Sequence, residues 1–140
     1  MTYNFKNKIA KISGPFQTFS SSSGYLESKK TIIFDDLKNK AEAEGNVKII
    51  LSNKTIIYAD NVKADFEPTD KSLNKAIAIG NVIIENKTKR RQSKANKGVY
   101  NPKNNLVELF GDVIIINEDS IISGSKGITN MKTGISNIIG

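Results

Sequence analysis

A five-residue motif returns three times along this chain. Gly45-Asn46-Val47-Lys48-Ile49, Gly80-Asn81-Val82-Ile83-Ile84 and Gly111-Asp112-Val113-Ile114-Ile115 share the pattern Gly-Asn/Asp-Val-x-Ile, and Gly140 stands where a fourth copy begins. The four glycines lie 35, 31 and 29 residues apart. A unit of that size cannot bury an apolar face alone, so neighbouring units must stack and share one interior. A second landmark falls between the glycines. Ala59-Asp60 with Ala64, Ala95-Asn96 with Tyr100, and Ser123-Gly124 with Ile128 align without gaps, which gives each unit two strands and puts Asn96 and Gly124 in the place of Asp60. A partial leading copy is expected from Ser23-Gly24-Tyr25-Leu26 followed by Ile32-Ile33-Phe34.

Within a unit the period is two. Steps of two through each glycine give Ala41, Ala43, Gly45, Val47, Ile49 and Leu51, then Ala76, Ala78, Gly80, Val82 and Ile84, then Val107, Leu109, Gly111, Val113 and Ile115. The other parity carries Glu42, Glu44, Asn46 and Lys48, then Asn81 and Glu85, then Glu108 and Asp112. Alternation of this kind marks strands with one wet and one buried face, and it excludes helices, whose apolar positions recur every three to four residues. Glycine on the buried parity points to a bulge or bend. Pro68-Thr69-Asp70-Lys71, Asn101-Pro102-Lys103-Asn104-Asn105 and Asn130-Met131-Lys132-Thr133-Gly134 read as hairpin turns. The expected fold is all-β: a repetitive β-jellyroll, or β-taco, of stacked antiparallel strands over residues 20–140, with 1–19 as a lead-in segment. Ala41, Ala43, Ala76 and Ala78 leave more room inside than Val107 and Leu109, so a tapering groove is expected.

Composition narrows the chemistry. Cys, His and Trp are absent, which removes thiolate nucleophiles, disulfides, imidazole bases and every Cys- or His-ligated metal site. Lys and Arg number 21 against 14 Asp and Glu, a net charge of +7 that favours anionic partners. The opening residues 1–8 lack the apolar run of a secretory signal and no stretch approaches 18 apolar residues, so the chain as written is expected to be soluble.

The most basic run holds Lys87, Lys89, Arg90, Arg91 and Lys94, candidates for contact with phosphate or an acidic partner. A solvated hairpin is the plainer reading, and no aromatic residue lies within the run to stack on a base. Asp35, Asp36, Asp60, Asp65 and Asp70 show no Ca²⁺-loop spacing. No catalytic residue, metal ligand or cofactor site is identified. The inner stripe Val47, Ile49, Ile57, Val82, Ile84, Val113 and Ile115 is either a plain core or the lining of a groove. Apolar residues also stand on the other face at Ile50, Ile77, Ile79, Ile83, Phe110, Ile114 and Ile116, so that face is covered or meets a partner.

Glu44-Gly45-Asn46-Val47 with Ile57-Tyr58-Ala59-Asp60, Gly98-Val99-Tyr100 with Leu106-Val107-Glu108-Leu109-Phe110-Gly111-Asp112-Val113, and Ile122-Ser123-Gly124 with Thr133-Gly134-Ile135-Ser136 resemble the OstA-like family over residues 20–140. The resemblance implies a non-catalytic periplasmic protein that carries lipopolysaccharide between membranes, its acyl chains inside the jellyroll and its sugars outside. Partners implied with it are lipopolysaccharide, LptC-like and LptD-like jellyrolls and further copies of the chain, head to tail; nucleic acid is not among them. The uncharged C-terminal edge at Ile135, Ile138 and Ile139 and the leading strands at Gly24, Leu26, Ile32 and Phe34 are the expected joints. Two other classes remain open on the residues alone: a structural or adhesive β-solenoid with a solid interior, and a basic nucleic-acid-binding module. A Val47, Val82 and Val113 layer filled by opposing side chains counts against the groove.

Overall fold

A computed structural model of the chain describes residues 2–4, 9–13, 17–21, 24–51, 54–70, 72–86, 88 and 90–140. Among the described residues every regular element is a strand: β1 (Thr2–Asn4), β2 (Ile9–Ser13), β3 (Gln17–Ser21), β4 (Gly24–Ser28), β5 (Thr31–Asp35), β6 (Lys40–Leu51), β7 (Thr55–Phe66), β8 (Leu73–Asn86), β9 (Arg91–Asn101), β10 (Leu106–Ile116), β11 (Ile121–Asn130) and β12 (Ser136–Ile139). They form one antiparallel sheet in the order β1-β2-β5-β6-β7-β8-β9-β10-β11-β12, with β4 on the second half of β6 and β3 on β4. Among the described residues no helix is long and apolar enough to cross a membrane.

Each recurrent Gly-Asn/Asp pair is a bulge. Gly45 and Asn46 together oppose Asp60, because the register runs from Glu44↔Asn61 to Val47↔Ala59; the ladder slips in the same way at Gly80-Asn81 and Gly111-Asp112. All six residues have positive φ, 80–84° for the glycines and 48° for Asn46, Asn81 and Asp112. Asn and Asp enter this left-handed region more readily than other side chains, and glycine enters it without penalty. Two such residues in succession turn the strand sharply. Every long strand therefore bends in its middle, and the single sheet folds into two facing layers. Layer I holds β5, β12 and the halves at 40–44, 61–66, 73–79, 97–101, 106–110 and 126–130. Layer II holds β4 and the halves at 47–51, 55–59, 82–86, 91–95, 113–116 and 121–124.

The bends stack into a spine. A Cβ added at Gly45 would meet the Lys30 side chain, at Gly80 that of Asp60, at Gly111 that of Asn96, and at Gly140 that of Ser125. Asp60 also accepts a hydrogen bond from Asn81 Nδ2 at 3.0 Å. The first copy makes its corner differently: β4 and β5 are two halves of one interrupted strand, tied by Lys29 N donating to Gly45 O at 2.8 Å and by Ser28 Oγ bonding the Glu44 carbonyl.

One sequence expectation is corrected. In the third unit the spine residue is Ser125, not Gly124, since Val113 pairs with Gly124 as Val82 pairs with Ala95, and Val107 pairs with Thr129 as Ala76 pairs with Tyr100. A slip of one residue turns every side chain to the other face. The apolar Ile128 suggested the wrong parity, while Thr129 is buried with its hydroxyl bonded to Ser136 Oγ at 2.9 Å. At the start β2 pairs with β5 and β3 with β4, so residues 2–4, 9–13 and 17–21 add strands to the sheet ahead of the repeat.

Gly80→Ala tests the bend. A Cβ there lies 2.5 Å from Asp60 Oδ2 on backbone at φ +83°, and the expected loss is about 1–3 kcal/mol. Thermal unfolding should show a lower midpoint, part of which returns in the double variant Gly80→Ala with Asp60→Ala.

Candidate functional site

The inward faces of the two layers meet in one apolar interior. Val47, Ile49, Ile57, Val82, Ile84, Val113 and Ile115 all project from layer II, and each is buried. The facing wall near the spine is made of Ala43, Val62, Ala78, Gly98 and Gly127, mostly smaller residues, with Leu109 as the large one among them. Contact across the interior is direct. A Cβ on Gly98 would stand 3.4 Å from Val82 and 3.8 Å from Ile84, and one on Gly127 would stand 3.0 Å from Val113. The sequence reading picked site residues from one wall only. Val62 and Tyr100 were missed because the bulge shifts the parity of the partner strand, from Ile57 and Ala59 to Val62 and Ala64, a shift legible only once the two-against-one pairing is known; Met131, also buried, was missed because it lies in a turn.

The interior is filled. Val47, Val82 and Val113 are no more than 1% exposed, and three small pockets that open onto the interior hold about 40, 20 and 10 Å³, room for a few waters at most. The largest lies at the N-terminal end, between Leu26 and Leu51 of layer II and Phe66, Leu73 and Tyr100 of layer I. The alanine-rich end is the roomier one. Two wider hollows of about 310 and 380 Å³ lie on the outer faces and are lined by mixed charge, Glu27, Lys48 and Asp60 in one, Lys40, Glu42 and Lys63 in the other. The ion pairs of the second, Lys63–Glu42 at 3.6 Å and Lys40–Asp65 at 3.9 Å, are largely exposed and contribute little.

The described candidates of the basic run, Arg90, Arg91 and Lys94, do not form one patch. Arg90 turns outward and pairs with Glu118 at 2.9 Å along layer II. Lys94 lies on the outer face between Ile83 and Ile114. Arg91 alone lies on the inner side, opposite Asn86, at the mouth farthest from the spine. Its guanidinium spans to layer I, where a Cβ on Gly134 would be 2.9 Å from Nη1. Nη1 is buried and has no hydrogen-bond partner. Burial lowers the pKa of this group, which still keeps its proton at neutral pH. Lys87 and Lys89 lie outside the described residues.

The expected joints are placed differently from the reading. Gly24, Leu26, Ile32 and Phe34 face inward on strands paired on both sides, β4 by β3 and β6, β5 by β2 and β6, so the leading edge is formed farther out, by strands too short and irregular to show the repeat. At the other end Ile138 packs inward against Gly124 and Gly127, whereas Ile135 and Ile139 are 64% and 60% exposed. β12 covers only Lys126–Thr129 of β11, which leaves Ile121 and Ile122 exposed on the other half. The acidic candidates serve turns and pairs. Asp35 accepts from the Leu37 and Lys38 amides and Asp70 from Ser72, which lowers the Asp70 pKa. Among the described residues no three of His, Cys, Asp or Glu gather as metal ligands.

One sheet bent along a spine, with an apolar interior between its layers and no closure of first strand to last, defines an open-ended β-jellyroll. The family model described as LptA/(LptD N-terminal domain) LPS transport protein matches residues 25–135. The chain belongs to that lipopolysaccharide-transport family, the OstA-like family of the sequence reading. Among solved structures it is similar to LptH, described as the LptA homologous periplasmic component of the conserved lipopolysaccharide transport device from Pseudomonas aeruginosa, with 16% identity, a TM-score of 0.68 and coverage of 95% of this chain and 82% of that one. Among curated proteins none matches the sequence.

Leu109→Ala probes how tightly the two walls fit. Leu109 is fully buried opposite Val82 and Val113, and truncation should cost about 2–5 kcal/mol, read as a lower midpoint in urea unfolding with an unchanged slope.

Proposed function

We propose that the chain is a non-catalytic periplasmic bridge for lipopolysaccharide, holding acyl chains between its layers while sugars and phosphates stay outside. One observation carries this reading: in a chain of a lipopolysaccharide-transport family, a continuous apolar inner surface runs across all the units, from Leu26 at one end to Ile138 at the other. Each CH₂ leaving water contributes about 0.8 kcal/mol, so an apolar passage lowers the cost of moving acyl chains through an aqueous compartment. The passage has to open to be used, because its layers are packed against each other. The fold permits that. Backbone ladders run along the layers and join them only at the spine, and the ion pairs near the mouth, Lys103–Glu67 and Arg90–Glu118, also run along single layers. Separating the mouth breaks side-chain packing and leaves the ladders whole.

A photo-crosslinking residue at Ile84 or Ile115 should capture lipopolysaccharide, while Lys48 and Asp112, on the outer parity, should not. Capture confined to the outer positions refutes the interior path.

The unpaired edges support the head-to-tail partnership with further copies, or with LptC-like and LptD-like jellyrolls. Exposed backbone on β12 and the first half of β11 is free to accept a strand. Ile139→Asp and Ile121→Asp, both at exposed positions, should weaken self-association several-fold in sedimentation with the melting midpoint unchanged. A wild-type monomer at high concentration that binds neither partner jellyroll rules this out.

A further inference from the structure

Arg91 is only half-buried, yet it places one atom of a charged group inside the interior. It opens β9 on the inward parity and lines a small pocket with Ile84, Asn86, Ser93, Val107, Thr129 and Met131, none of them a carboxylate. Nη1 is shut away from water with no acceptor. An unsatisfied buried donor is unfavourable, and more so when it is charged. The surroundings nevertheless accommodate the group. Gly134, at φ +81°, leaves open the space that a Cβ would take, within 2.9–3.1 Å of Nη1, Nη2 and Cζ. The turn beneath it is stiffened by Asn130 Oδ1, which accepts from the Lys132 and Thr133 amides at 2.9 and 3.1 Å, and by Gly134 N donating to Asn130 O at 2.7 Å. A planar fork with free N–H groups thus stands on a rigid turn at the rim of an apolar interior.

Resting on the carrier reading, we infer that Arg91 binds the phosphate of the carried lipid: its guanidinium grips the headgroup at the mouth while the acyl chains lie between the layers. A phosphate oxygen supplies the acceptor that the protein does not, and a guanidinium suits phosphate because two parallel N–H groups reach two oxygens at once. Position fits as well. Arg91 sits at the rim, where an acyl chain lodged beside Ile84 and Val107 emerges into water and its polar end begins. The same guanidinium, released from Gly134, frees the mouth to open. Arg90 and Lys94 take no part, since both point away from the interior.

The test is equilibrium binding to the full chain of bisphosphorylated lipid A, of dephosphorylated lipid A with the same acyl chains, and of inorganic phosphate alone. Arg91→Gln should weaken the phosphorylated lipid roughly tenfold, a typical value for one charge-assisted pair, and leave the dephosphorylated lipid unchanged. Arg91→Lys, a point charge without the fork, should fall between the two; Arg90→Gln should match wild type. Thermal unfolding checks each variant, and should Arg91→Gln fold poorly, Arg91→Lys carries the comparison. Equal binding of both lipids by wild type, unaltered in Arg91→Gln, overturns the assignment and leaves the carrier reading standing. Failure of wild type to bind either lipid overturns the carrier reading and the inference with it. Inorganic phosphate binding wild type as tightly as the phosphorylated lipid does, and losing that affinity in Arg91→Gln, overturns the lipid headgroup as the ligand.

Discussion

Everything in this molecule depends on two consecutive left-handed residues opposing one on the next strand. An uninterrupted twisted sheet of this many strands would show one face to water along its whole length, leaving the apolar parity uncovered. The Gly-Asn/Asp bulges bend each long strand at the same height, so the sheet covers its own apolar face. Glycine and an Asn or Asp act together, because one residue must tolerate φ near 80° against a neighbouring side chain and the next must hold φ near 48°. The partner strand supplies Asp60, Asn96 or Ser125 at the same height, side chains that fill the space the glycines leave.

Folding a sheet along a spine makes its interior asymmetric. Near the bend the layers are close, and alanine and glycine on layer I accept valine and isoleucine from layer II. Away from it the layers are held by apolar packing and by residues such as Tyr100 and Met131. The rim is therefore where the two layers can part, and Arg91, reaching over to Gly134, is the polar side chain that bridges it. A filled interior and a transport family are compatible on this architecture, since the hydrogen-bond ladders do not cross the space that has to open. The filled Val47, Val82 and Val113 layer counts against a standing groove; family membership carries the transport reading, and a passage forms only where the two walls can part.

The edges follow from the same geometry. Bent strands add indefinitely in one direction, and nothing in the ladder closes the first onto the last. At the C-terminal end only half of β11 is covered, and isoleucines stand exposed there where soluble proteins more often place charge or proline.

The sequence by itself determined the strand class, the repeat, the bends and the parity of the strands that carry Gly-Asn/Asp, because a period of two and a glycine at fixed intervals are local properties of the chain. It also carried the family, in short motifs of fixed order. The tertiary structure decided the parity of the partner strands, where a bulge on one strand shifts the register of another. It decided that Ser125 and Thr129, not Gly124 and Ile128, take the equivalent places, since pairing is set by neighbours and not by the hydrophobicity of a single residue. It separated Arg91 from Arg90, adjacent in sequence and opposite in face. It showed the strands at 2–4, 9–13 and 17–21 joining a sheet whose repeat they do not display, because a short strand is held by the ladder beside it and needs no motif of its own.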